Sequence, residues 1–282
     1  FIITEDNDGI QLEAIGSFER SGLSNDEVYS KYGLFSFVQT SVSLNSQDGD
    51  VRDLRFNNDG DKVFVLGRGN DGVYEYVLST PFDVSSLTFV HKLDISGQET
   101  AANALEFNLD GTKLFVLGQS GDDVNEYALS TGFDVSTASF TDSFSISSQE
   151  IKPYGLAFNN DGTKMYVSGW AGDDVNEYAL TTAFDVSTAS FTQNFSTEGT
   201  GRSNPSAVQF NADGTFMYVL QGNTNARIHE YSLTTAFDIS TASFTNRVFD
   251  VTNEENRARG FCFSADHSKL FVVGWRGDDI NE

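Results

Sequence analysis

Apolar and polar residues alternate with a period of two along most of this chain, in short runs rich in Val, Phe, Tyr and Leu and bounded by Gly, Asp, Asn and Ser. That is the signature of half-buried strands, not of helices. Asn103–Asn108 reads as a strand A, followed by the tight turn Leu109-Asp110-Gly111-Thr112, where glycine accepts the positive φ that hairpins demand. Lys113–Gly118 reads as strand B. After a polar loop comes strand C, Val124–Leu129, and the phrase Ser130-Thr-Gly-Phe-Asp-Val-Ser-Thr137 leads to strand D, Ala138–Ser145.

The same pattern returns along the chain. Phe56-Asn-Asn-Asp-Gly60 recurs at Phe107, Phe158 and Phe210, and in the decayed form Phe263-Ser-Ala-Asp-His267, at steps of 51, 51, 52 and 53 residues. Such a period marks a stack of units, none of which can bury its apolar face alone. Four antiparallel strands in about 50 residues make the blade of a β-propeller, so the predicted class is all-β. Strand A carries large residues on one face (Leu105 with Phe107, Leu156 with Phe158, Val208 with Phe210) and small ones on the other (Ala104, Gly155, Ala157, Ala207, Gly260, Cys262). Neighbouring blades can then interlock large against small, with Cys262 as a small core residue and not a reactive thiol.

Ser36–Leu44 resembles a strand D, so residues 36–282 read as D, then ABCD four times, then ABC. Five blades are represented, and the first D strand can complete the last blade and leave no open edge. The rival reading is a chain truncated at Glu282, before the Tyr that follows the same phrase at Tyr127 and Tyr178. Residues 1–35 stand apart, with a hairpin over Phe1–Glu13 about Asn7-Asp-Gly9 and a short helix over about Asn25–Tyr32, capped by Ser24.

Charge and composition narrow the function. With 17 basic and 41 acidic side chains the net charge is -24, which disfavours a phosphate backbone, so nucleic acid is not an expected partner. One cysteine excludes an intrachain disulfide, and no apolar run reaches the ~18 residues needed to cross a bilayer, so no membrane insertion is expected. His91, His229 and His267 fall in a strand D, a strand C and an A-to-B turn, too dispersed to converge on a metal or nucleophile. The balance leans away from an enzyme. The pairs Asp122-Asp123 and Asp173-Asp174 could offer calcium a few oxygens, although local hydrogen bonds that shape the loops account for them more simply. Glu75, Glu126, Glu177, Glu230 and Glu282 recur in strand C opposite Lys62, Lys113, Lys164 and Lys269 in strand B, which predicts cross-strand charge pairs, with Phe216 breaking the lysine series.

One recurring position varies. After the glycine that ends strand B stand Arg68, Gln119, Trp170, Asn223 and Trp275, in B-to-C loops that ring one mouth of the channel beside the D-to-A loops. The longest D-to-A connection, Ser196–Pro205, adds Arg202 on that side. Constant scaffold with variable loop tips is how binding sites are carried on rigid folds, and a Trp face suits a sugar ring or a protein surface. The alternative is that each Trp folds over the neighbouring blade as a lid.

The segment Asn159-Asn-Asp-Gly-Thr-Lys-Met-Tyr-Val-Ser-Gly169 resembles the turn-and-strand signature of lactonase-like β-propellers of the YVTN type. The phrase running from Gly121-Asp-Asp-Val-Asn-Glu-Tyr to Phe140 is similar to repeats in bacteriophage virion proteins and large exported bacterial proteins, especially marine ones, and Phe1–Gly9 resembles hairpins of phage fibre proteins. The resemblance implies a non-enzymatic structural or binding module in a phage fibre, tail or capsid surface, located in the virion or outside the cell. Its expected partners are a host glycan or protein surface, virion neighbours or further copies of itself, with no cofactor unless calcium. Two alternatives stand beside it: a calcium-dependent propeller hydrolase or lactonase, and a secreted bacterial adhesin. No position matches a complete lactonase site, so no catalytic residue carries over.

Overall fold

In the four-strand repeats each alternating run forms a strand close to where its pattern places it. The computed structural model describes residues 2–6, 9–13, 37–197, 204–222 and 224–282. The chain divides into two units, Phe1–Leu34 and Phe35–Glu282. In the first, β1 (Ile2–Asp6) and β2 (Gly9–Glu13) pair antiparallel with Ile2 opposite Glu13, the expected hairpin. The helix expected at 25–32 lies outside the described residues.

Among the described residues of the second unit, four sheets have four antiparallel strands in sequence order. Blade 1 is β3 (Val51–Phe56), β4 (Lys62–Gly67), β5 (Gly72–Leu78) and β6 (Leu87–Asp94); blade 2 is β7 (Ala102–Phe107), β8 (Lys113–Gly118), β9 (Asp123–Leu129) and β10 (Ala138–Ser145). Blade 3 is β11 (Pro153–Phe158), β12 (Lys164–Gly169), β13 (Asp174–Leu180) and β14 (Ala189–Ser196); blade 4 is β15 (Pro205–Phe210), β16 (Phe216–Gln221), β17 (Arg227–Leu233) and β18 (Ala242–Asp250). A fifth, smaller sheet contains only β19 (Ala258–Phe263) and β20 (Leu270–Gly274). Innermost strands β3, β7, β11, β15 and β19 pack each on the next, and β19 packs back on β3. The result is a β-propeller ring.

The expectation of five blades, the last completed by Ser36–Leu44 as a strand D, is corrected in its last member. Among the described residues, 37–50 and 275–282 make no regular strand: residues 37–44 and 278–282 meet each other and the sheet at single bridges, Thr40 to Asn281 and Asn281 to Val272. Backbone bonds still join the two segments: Val38 N to Glu282 O (2.7 Å), Ser41 N to Ile280 O (2.9 Å) and Leu44 N to Asp278 O (2.6 Å).

Core packing follows the large and small faces of the inner strands. Leu105 and Phe107 pack on Phe64 and Leu66 of blade 1, whereas Ala104 faces Leu156 and Val167 of blade 3. Small residues are compulsory where backbones meet, since a Cβ on Gly155 would lie 2.6 Å from Ala207 Cα. Cys262 sits in such a place, buried against Leu54 and Val63 of blade 1, and burial pushes its thiol pKa up.

A second set of contacts holds the turn end of the ring. Lys62 Nζ donates to Glu75 Oε1 (2.7 Å) across strands β4 and β5, and also to the carbonyl of Phe133 in the next blade (2.7 Å). Glu75 Oε2 accepts from Val135 N of that same loop (3.1 Å). Lys113 with Glu126 grips Phe184 and Val186 in the same way, and Lys164 with Glu177 grips Phe237 and Ile239. The expected charge pairs therefore form, but they latch one blade to the next. Lys269 and Glu282 repeat the latch onto Phe82 of blade 1 (3.1 Å). Gln39 bonds Glu282 and Asp83 just as Gln193 of β14 bonds Glu177 and Asp238. Phe216 breaks the lysine series, and there Glu230 turns to Thr245 and Arg247 of its own blade.

The latched phenylalanines pay a conformational cost. Phe82, Phe133, Phe184 and Phe237 hold φ of 54 to 57°, a region that side chains avoid, so that each ring lies flat on the glycine of the Asn-x-Asp-Gly turn. Each ring completes an aromatic group that bridges two blades, such as Phe64, Phe107 and Phe133 with centroids 4.6 and 5.3 Å apart. In the fifth sheet His267 takes the glycine position at φ 56° and stacks on Phe263.

Gly111 combines a φ of +69° with the Phe133 ring 2.3 Å from any added Cβ, whereas nothing lies within 4 Å at Gly97. Gly111→Ala is expected to lower unfolding free energy by about 2–4 kcal/mol in urea titration, and Gly97→Ala by less than about 0.5 kcal/mol.

Candidate binding site

The axis of the ring is not open. Arg55 projects across it from β3, with Nη1 on Asp53 Oδ1 (2.8 Å), on Leu54 O (2.6 Å) and on Phe261 O (3.4 Å), Nε on Glu106 Oε2 (2.9 Å) and Nη2 on Leu156 O (3.3 Å). One side chain thus ties blades 1, 2 and 3 and the fifth sheet together. Burial raises the Asp53 pKa to about 6, against the lowering effect of Arg55 and of the Leu105 and Leu54 N–H groups. Burial alone would weaken the charge on Arg55, but Asp53 and Glu106 outweigh it and hold the guanidinium protonated.

Above Arg55 lies the mouth ringed by D-to-A and B-to-C loops. These loops are held by a carboxylate that sequence reasoning missed. Asp48, Glu99, Glu150 and Glu255, all buried, each lie on the glycine that ends strand B and accept backbone N–H bonds from both loops. Glu150, for example, takes Lys152 N (2.6 Å), Ala171 N (3.1 Å) and Gly172 N (3.1 Å). A carboxylate saturated by backbone donors fixes the loop without help from the tips, which leaves the tip side chains free to differ.

A bulge at the second residue of every inner strand supplies the rest of the mouth. The register slips between Val51 and Asp53, Ala102 and Ala104, Pro153 and Gly155, Pro205 and Ala207, and Ala258 and Gly260. The skipped residues are Arg52, Asn103, Tyr154, Ser206 and Arg259. A bulge re-aims one side chain without disturbing its neighbours, and here the residue so placed is Arg, Asn, Tyr, Ser and Arg in turn. Tyr154 stacks on Trp170 with centroids 4.1 Å apart and planes at 21°, and the Arg259 guanidinium lies 4.9 Å from the Trp170 ring and 5.5 Å from Tyr154. These contacts cross from the fifth sheet to blade 3. The column was visible in the sequence immediately before the small residue of strand A (Ala104, Gly155, Ala207, Gly260) and before Asp53, by the same variability that singled out the loop tips.

The predicted tip residues fall in separate places. Arg68 donates to Asn103 Oδ1 (3.2 Å), and Gln119 is half-buried with its N–H on Ala101 O (3.1 Å). Trp170 is half-buried and reaches Ser206 of blade 4 through Nε1 (3.4 Å). Trp275 is 43% exposed, with Arg257 over its ring at 4.9 Å. Arg202 and Asn223 lie outside the described residues. Because β16 ends at Gln221 opposite Pro205, as β12 ends at Gly169 opposite Pro153, the counterpart of Trp170 in blade 4 is Gly222 and not Asn223. A Cβ there would lie only 1.9 Å from Ala258 O, which explains the glycine.

The aspartate pairs shape their loops. Asp122 and Asp173 take positive φ (47 and 50°), Asp123 Oδ1 accepts from Asn125 (2.8 Å), and Asp174 accepts from Asn176 (2.7 Å) and Asn194 (2.6 Å). Burial raises the pKa of Asp123 and of Asp174. Among the described residues no group of three or more His, Cys, Asp or Glu is gathered as a metal site. At the opposite, turn end of the channel, a cavity of about 190 Å³ is lined by Phe107, Phe158, Asn159, Gln209, Phe210 and His267 among others.

No family model and no curated protein matches the chain. Among solved structures it is similar to the Myceliophteria thermophila Cps50 (Swd1) β-propeller domain, with a TM-score of 0.50 and 13% identity over 87% of this chain and 98% of that one. It is also similar to a putative 6-phosphogluconolactonase from Bacteroides uniformis (TM-score 0.49, 13% identity, 88% of this chain and 64% of that one) and to a functionally unknown protein from Desulfotomaculum acetoxidans (TM-score 0.48, 15% identity, 79% and 62%). The chain thus spans a little over six-tenths of the length of these two bacterial structures. At such identities the likeness is one of fold, and the fold is the β-propeller.

Asp53 has a folded pKa above its ordinary 3.8, so its contribution to stability is full below about pH 4 and is lost as pH rises through about 6. Replacing Arg55 by Met removes a neighbour that lowers this pKa and leaves Asp53 and Glu106 uncompensated. Arg55→Met is expected to cost about 3–5 kcal/mol at pH 8 and distinctly less at pH 5, as read from urea midpoints across pH.

Proposed function

We propose that this chain is a non-catalytic β-propeller binding module that contacts a glycan or a partner protein through the D-to-A and B-to-C loop mouth. The single observation that carries this is the convergence of Arg259, Tyr154 and Trp170, from opposite sides of the ring, on a mouth whose loops are anchored independently of their tips. The groups that converge there present a fixed guanidinium charge and two aromatic faces, a set that suits recognition. In this reading the fifth sheet acts as a fifth blade, with segment 37–44 in the place of its outer strand, and the ring is a rigid support. The context is a phage virion or another exported particle or surface, as the repeat phrases and the fibre-like hairpin suggest.

Binding is tested by screening the protein on a glycan array and against host surface fractions. Trp275→Ala is expected to weaken binding about tenfold while leaving the urea midpoint unchanged, because that ring is exposed at the rim. Unaltered binding in Trp275→Ala and Arg68→Ala together would remove the mouth as the contact face, and hydrolysis of sugar lactones by the purified protein would favour the lactonase alternative.

The fifth blade is tested separately. Thr40→Cys with Asn281→Cys places two thiols on bridged residues. Oxidation is expected to form the disulfide readily and to raise stability by about 2–4 kcal/mol; no crosslink in the folded protein would show that segment 37–44 does not hold this place in solution.

A further inference from the structure

A guanidinium taken out of water needs an anion or a full set of acceptors, because no ordinary pH discharges it. Arg55 has both. Among the described residues Arg259 has neither: it is 9% exposed, and its Nε and Nη1 meet no hydrogen-bond partner. Among the described residues it joins no ion pair. Its contacts with Trp170 and Tyr154 run through the ring faces and leave Nε and Nη1 without an acceptor. Arg52, also 9% exposed, gives Nη2 to Asp50 (2.7 Å) but leaves Nε without a partner. The two cations stand on adjoining strands: a Cβ on Gly260, the residue after Arg259, would lie 2.8 Å from the Arg52 carbonyl oxygen. Burial lowers the pKa of Arg259 and the charge of Arg52 lowers it further, against the raising effect of Tyr154 and Asp50.

We infer that Arg52 and Arg259 together form an oxyanion site at the centre of the loop mouth, which receives one carboxylate or sulfate carried on a sugar ring. The inference rests on the mouth being the contact face. Two planar forks with free N–H groups match the two or three oxygens of such an anion, which a point charge would not. A single negative group fits better than a polyanion, since Asp48, Asp50, Glu255, Asp278 and Asp279 crowd the adjoining loops and the chain carries a charge of -24. A sugar as carrier is favoured by the aromatic surfaces beside the site, with Trp275 exposed at the rim.

The probes are glucuronate, glucose, sodium sulfate and a short peptide with one aspartate, measured by thermal shift and calorimetric titration on the wild type, Arg259→Gln, Arg259→Lys and Trp275→Ala. Glucuronate is expected to raise the melting temperature of the wild type, with glucose at least about tenfold weaker. Arg259→Gln is expected to melt at or above the wild type without ligand, because an uncompensated buried charge is gone, and to lose at least about tenfold in glucuronate affinity. Arg259→Lys, which keeps the charge without the fork, falls between them. Equal binding of glucose and glucuronate, or an undiminished glucuronate response in Arg259→Gln, overturns the inference. So does sulfate matching glucuronate with no effect of Trp275→Ala, an adventitious ion only, or the peptide displacing glucuronate. Neutral-glycan binding that is lost in Trp275→Ala but kept in Arg259→Gln overturns this site while sparing the mouth. Glycan binding indifferent to both variants overturns the two readings together.

Discussion

A buried glutamate in strand C of each latched blade must be paired, and it is paired jointly by a lysine of its own blade and by a backbone N–H of the next. The lysine in turn spends a second donor on the carbonyl of the following Phe-Asp-Val loop. No latched blade satisfies its strand C glutamate alone, whereas blade 4 pairs Glu230 with its own Thr245 and Arg247. Since an uncompensated buried carboxylate costs several kcal/mol, the latch makes each blade conditional on its neighbour, in addition to the apolar packing of large strand faces against small ones. The positive φ of Phe133 and its counterparts, the glycine beneath each ring and the interblade aromatic groups all follow from bringing that loop within reach of the latch.

The same requirement separates the two ends of the ring. At the turn end every blade does the same work, so Asn-x-Asp-Gly and Phe-Asp-Val-Ser-Thr recur with little change. At the mouth, the buried Asp48, Glu99, Glu150 and Glu255 satisfy the loop backbones, and the tips are left free to diverge. Arg55 closes the axis between the two ends, so a ligand at the mouth meets a floor. Variation therefore concentrates where it does not endanger folding, which is the physical reason that a repeat protein can be uniform in fold and particular in recognition.

Much of this was legible along the chain. The period of two gave the strands, with β8 and β10 placed to the residue, and the Asn-x-Asp-Gly glycines were recognisable as turn residues because only a positive φ explains them. The lysine–glutamate series was visible as a pairing, but its reach into the next blade was not, because a donor's second acceptor leaves no mark in the spacing of its own strand. The loop tips were found by their variability, and the bulged column one strand away was overlooked because a bulge interrupts alternation by a single residue and reads as noise.

What the sequence by itself determined is whatever depends on neighbours within one repeat: strand spans, the small and large faces, the turns and the identity of the latch residues. Tertiary structure decided the rest. The incomplete fifth sheet, with residues 37–44 and 278–282 meeting at single bridges, depends on how two distant segments fit one remaining edge. The placement of Gly222, and not Asn223, in the Trp170 position depends on where β16 pairs with β15. The meeting of Arg259 with Tyr154 and Trp170 depends on the curvature of the closed ring, which sets the distance across the axis. Curvature is a sum over all the blade interfaces, and no single repeat encodes it.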